Sequence, residues 1–95
     1  MSELAVDVIK RGGRRPSERY SRDKLRASIV AACLSVNTPA GLAEEIAEAV
    51  CDDVAQWLTV RPEVTSDDLR RVAARHLNIH HPDAAYLYEQ HRIII

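Results

Sequence analysis

From Ser21 onward, apolar residues return every three or four positions, and that interval commits most of the chain to amphipathic helices. Leu42, Ile46, Val50, Val54, Trp57 and Leu58 keep it through residues 39–58, the longest stretch, whose far face is acidic with Glu44, Glu45, Glu48 and Asp52. Before it, Leu25, Ile29, Val30, Cys33 and Leu34 share one face of a helix that Ser21 caps and that ends between residues 35 and 37. Thr38 as cap and Pro39 in the first turn restart the chain as a helix. Arg61-Pro62-Glu63-Val64 is a connection, extended at most over a few residues. Thr65 and Asp68 then stand at capping-box spacing, with Asp in the usual Glu or Gln position, and Leu69, Val72, Ala73 and Leu77 form a third stripe. That helix is expected to break near Asn78. His81-Pro82-Asp83 opens a fourth, running to about Arg92, with Ala85, Leu87, Tyr88 and His91 turned inward or toward an interface.

The N-terminal segment has a different period. Leu4, Val6 and Val8 alternate with Ala5, Asp7 and Ile9 until Gly12-Gly13, a pair suited to the positive φ angles of a two-residue hairpin turn. A returning strand over residues 14–20 is polar and interrupted by Pro16, which suits a sheet edge. The expected fold is mostly α with a small β cap (α+β): a four-helix bundle covered by a short N-terminal hairpin or three-stranded sheet. A length of 95 residues fits one domain spanning 1–95.

With 46% hydrophobic and 28% charged residues, the composition excludes a disordered chain. No apolar run approaches the roughly eighteen residues of a membrane span, and the first residues lack a signal-peptide layout, so a cytoplasmic location is expected. Cys33 and Cys51 are too few and too far apart for a disulfide framework and read as reduced core residues. The formal net charge of −1 argues against direct nucleic-acid binding. Its distribution is uneven: residues 1–26 hold eight of the thirteen Lys and Arg against four acids, and the remainder holds five against ten. One end of the sequence attracts anions.

The richest segment is Lys10-Arg11-Gly12-Gly13-Arg14-Arg15, where cations flank a glycine turn able to present backbone N–H groups to a phosphate. Lys24 follows in the first turn of a helix, where a cation opposes the helix dipole, and that local mismatch points to function. Neither common phosphate-loop motif is present. His76, His80 and His81 lack a companion that would complete a zinc set, and no serine or acid pair carries a catalytic motif, so no metal site and no enzyme activity are expected.

The order Val8-Ile9-Lys10-Arg11-Gly12-Gly13, Arg19-Tyr20-Ser21-Arg22-Asp23-Lys24-Leu25, Val64-Thr65-Ser66-Asp67-Asp68-Leu69 and Ala85-Tyr86-Leu87-Tyr88 resembles the ATP-cone domain. That family is the nucleotide-binding regulatory module of many ribonucleotide reductases and of the repressor of their genes. Two departures are visible: Gly12 replaces the usual Asp, and the second Tyr of the closing Ala-Tyr segment comes one place early. The resemblance implies ATP or dATP held between cap and bundle as an allosteric ligand, with magnesium accompanying the triphosphate. By position, it implies Lys10, Arg11 and Lys24 on phosphates, Val8, Tyr20 and Leu25 around the base, and Arg70 as a further phosphate-facing residue. It further implies a non-catalytic sensor that biases conformation or oligomeric state, partnered by a ribonucleotide reductase catalytic subunit or domain or by its own copies. Either a stand-alone cone acting in trans or a segment of a longer polypeptide fits. The competing reading is a protein-interaction domain with the same fold whose nucleotide site is degenerate.

Overall fold

The computed structural model describes residues 6–9 and 17–90. The first strand is β1 (Asp7–Ile9) and its return is β2 (Glu18–Arg19), antiparallel with Asp7 opposite Arg19 and Val8 opposite Glu18. The Gly12-Gly13 turn expected between them lies outside the described residues. A hydrogen bond from Tyr20 N–H to the Val6 carbonyl (2.6 Å) extends the ladder. The connection expected to be extended over a few residues supplies β3 (Glu63–Thr65), which runs parallel to β1 with Val64 beside Val8. The sheet order is therefore β2-β1-β3, with the N-terminal strand in the middle. Strand alternation does the sorting: Val6, Val8 and Val64 are buried against the helices, whereas Asp7 and Glu63 turn outward.

Four helices follow: α1 (Arg22–Ser35), α2 (Ala40–Leu58), α3 (Ser66–His80) and α4 (Pro82–Gln90). Fold class and the helical interval thus agree with expectation. The α1 N-cap is Ser21, whose hydroxyl accepts from Lys24 N–H at 3.3 Å, and Thr65 caps α3 by accepting from Asp68 N–H at 3.0 Å. Helix α1 ends in a Schellman turn: Thr38 N–H reaches the Cys33 carbonyl and Asn37 N–H the Leu34 carbonyl, both at 3.0 Å, with Asn37 left-handed at φ 64°.

Several local expectations are corrected. Thr38 does not cap α2; Pro39 holds that position without a side-chain bond, and the Thr38 hydroxyl instead lies 2.8 Å from His81 Nε2. Helix α3 does not break at Asn78 but continues through His80, where His81 N–H closes onto the Leu77 carbonyl. Leu34 and Leu42 leave the core, at 47% and 48% exposure, although their neighbors Cys33 and Ala43 are wholly buried, so each lies off the buried face of its helix. On α4, Tyr88 is fully buried, while Tyr86 is 68% exposed.

The helices pack as two antiparallel hairpins, α1 with α2 and α3 with α4, and the pairs α2–α3 and α1–α4 close the bundle. Leu25, Ile29, Cys33, Val50, Cys51, Val54, Leu69, Leu77 and Tyr88 form its center. Both cysteines are buried free thiols. The sheet covers the end of the bundle where α1 and α3 begin. The opposite end holds the two interhelix turns, joined by Thr38 and His81. No described helix is long and apolar enough to cross a membrane.

Candidate functional site

Cap and bundle meet at the first turns of α1 and α3, and a crevice lies along that junction. Val8 from β1, Glu18 and Arg19 from β2, Tyr20 and Ser21 from the link to α1, Lys24 from α1 and Leu69 from α3 line it. Its open volume is about 10 Å³, room for about one water molecule and far below the roughly 300–1,000 Å³ of sites that enclose a whole small molecule. One wall is apolar, from Val8 and Leu69, and the other carries the Lys24 ammonium beside the Ser21-capped N-terminus of α1. That combination suits a flat apolar group next to an anion.

The cations around the crevice are paired. Lys24 Nζ lies 3.0 Å from Glu18 Oε1, across from β2 to α1, and Arg19 lies 3.5 Å from Asp7 on the outer face of the sheet. Arg22 donates to Glu48 and to Asp52 of α2, each at 2.8 Å, and Arg26 donates to the second oxygen of Glu48. Hydrogen bonds from Arg22 and then Arg26 hold the Glu48 carboxyl below its usual range, and the same contacts raise Arg22 further above its own. The acidic face of α2 is therefore not simply solvated, since Glu48 and Asp52 consume α1 arginines. Of the eight bases in residues 1–26, the four in the described region each have a carboxylate partner.

Arg70 sits one residue beyond Leu69, with its side chain only 18% exposed. Its Nη1 donates to Asp67 at 3.0 Å, while Nε is buried and has no acceptor among the described residues. Close by, Ser28 gives its one hydroxyl proton to the Leu25 carbonyl (2.7 Å), so the Tyr88 hydroxyl, 3.1 Å away, must donate to Ser28. Burial pushes the Tyr88 phenol well up, against smaller opposing effects from Ser28 and the nearby Arg70 charge. Tyr88, Ser28 and the Leu25 carbonyl thus form a buried hydrogen-bonded chain between α4 and α1.

The ATP cone domain family model matches residues 6–92, nearly the whole chain. The chain belongs to the ATP-cone family. No curated protein and no solved structure matches it. An ATP cone is in general a nucleotide-binding regulatory module and not a catalytic domain.

Within this cone, the structure brings Val8, Tyr20 and Lys24 to one crevice. Leu25 is wholly buried one position on, in the core beneath it, and Arg70 stands behind Leu69 instead of on the lining. Lys10 and Arg11 lie outside the described residues. Sequence reasoning passed over Glu18, Arg19, Ser21 and Leu69 as lining residues. Leu69 was visible as a core position, but the meeting of Glu18 with Lys24 depends on how the link at Tyr20 and Ser21 turns β2 into α1. Among the described residues, no group of three or more His, Cys, Asp or Glu could hold a metal ion. His76 Nδ1 lies 3.3 Å from Asp53 Oδ2, and His81 is engaged by Thr38.

Proposed function

We propose that this cone is an ATP/dATP-responsive regulatory domain, with the base entering between Val8, Tyr20 and the Leu25–Leu69 core and the phosphates meeting Lys24. The observation that supports it most is the crevice itself, where cap, α1 and α3 bring an apolar wall and a helix-start lysine together. Lys10 and Arg11 supply the remaining cations, and the Nε of Arg70, which has no acceptor among the described residues, offers a further donor. A triphosphate carries about four negative charges and needs such a set. Magnesium would arrive coordinated by the phosphate oxygens themselves. Binding acts by coupling: the nucleotide favors one conformation or assembly over another, typically by about 1–3 kcal/mol. The regulated unit is a ribonucleotide reductase catalytic subunit or domain, or an oligomer of cones, within one cone spanning residues 1–95 in a cytoplasmic setting.

The narrow crevice and the engaged Lys24 favor a second reading, a cone-shaped interaction domain whose nucleotide site has decayed. Calorimetric titration with ATP and dATP, with mass recorded at saturation, separates the two. Micromolar binding that weakens at least tenfold in both Lys10→Ala and Lys24→Ala supports the sensor. Absence of heat at millimolar nucleotide sinks it and leaves the interaction domain.

A further inference from the structure

A cation in the first turn of a helix faces the positive end of the helix dipole, and something must offset it. Here the offset comes from another element. Glu18, on β2, places Oε1 3.0 Å from Lys24 Nζ, at the mouth of the crevice that both residues line. The helix's own Ser21 cap is occupied with the Lys24 backbone N–H, so the ammonium is held only through its side chain. Both side chains remain about half exposed, at 49% for Lys24 and 51% for Glu18, so the pair is open to exchange with solutes. Arg19 also lines the crevice but pairs with Asp7 at 3.5 Å, and Arg22 and Arg26 are tied to α2 carboxylates away from the lining.

We propose that Glu18 is a built-in competitor for the phosphate position of this cone, its carboxylate occupying Lys24 until a polyphosphate displaces it. The inference rests on the nucleotide reading above. It makes Glu18 a specificity-setting residue: it lowers affinity for every anion, and it leaves ligands with several adjacent negative charges the best able to take Lys24 from it. Displacement also breaks the Glu18–Lys24 contact, so binding changes how β2 is held to α1.

The test is calorimetry with ATP, inorganic tripolyphosphate and adenosine on four proteins: wild type, Glu18→Gln, Lys24→Ala and the double variant. Circular dichroism confirms folding of each. Glu18→Gln is expected to tighten ATP and tripolyphosphate alike, by about three- to tenfold at low salt, and to leave adenosine unchanged. In the Lys24→Ala background the same substitution is expected to do little, since its effect runs through the lysine. Wild-type binding that is unchanged or weakened by Glu18→Gln overturns the inference alone, and selective weakening of adenosine would assign Glu18 to the nucleoside instead. Failure of both wild type and Glu18→Gln to bind ATP overturns the nucleotide reading and this inference together.

Discussion

The Tyr88 hydroxyl shows how much of this fold hangs on single buried polar atoms. It is enclosed between α1, α3 and α4 and donates to Ser28, which is itself bonded to the Leu25 carbonyl. Tyr88→Phe keeps the ring and removes one hydrogen bond, so a loss of about 1 kcal/mol is expected, read as a melting temperature lower by roughly 4–8 °C. Tyr88→Ala would lose about 3–5 kcal/mol, a large part of the total stability of a domain this size. The thiols give a second prediction. Burial pushes Cys51 up to about 11, so the folded state keeps it protonated where an unfolded chain ionizes near 9. Its contribution to stability is whole below pH 9 and is lost as pH rises toward 11. At pH 8 a thiol reagent should leave both cysteines intact in the folded protein and modify both in urea. Rapid native-state labeling would contradict that burial. The residue pattern announced Tyr88 and the cysteines as inward positions, and Lys24 as a misfit at a helix start. It did not announce Glu18, because nothing local places a strand residue against a lysine of the following helix.

At the scale of elements, α1 is fastened to α2 by two arginines sharing Glu48, with Asp52 as a second acceptor. Glu48 titrates below its ordinary 4.5, so the stabilization is present above that value and is lost as pH falls through the lowered one. Glu48→Gln should lower the melting temperature at neutral pH and flatten its decline in acid. The two proteins should converge as salt approaches about 1 M, where screening acts within about 3 Å. The α1–α2 turn supplies a backbone test, since Asn37 is left-handed at φ 64°. Asn37→Gly should be neutral or gain up to about 1 kcal/mol, and Asn37→Val should lose about 1–2 kcal/mol, both read by urea unfolding. The four helices were legible because periodicity, caps and prolines all agree on them. Strand β3 was legible as a short extended piece, but its pairing was not, because its three residues hold one buried side chain and its partner β1 is far away in the chain. Thr38 has the composition of a cap, but its hydroxyl is drawn to His81 by a turn that only the tertiary fold brings near.

For the whole molecule, a ligand wedged between sheet and bundle must stabilize the folded state. Under the sensor reading, ATP at one hundred times its dissociation constant adds about 2.7 kcal/mol, or a rise on the order of 10 °C in melting temperature. A thermal scan against nucleotide concentration checks this, and a flat response would count against the site. The sheet order carries a separate consequence. One half of the chain contributes β1, β2 and the α1–α2 hairpin; the other contributes β3 and the α3–α4 hairpin. The halves share a single sheet, through β1 beside β3, and a single core. Their covalent link is the turn of Thr59, Val60, Arg61 and Pro62, exposed except at Arg61. The cone is in this sense a heterodimer written on one strand of peptide. Severed at that turn, its two fragments should be poorly folded apart and should recover one another from solution.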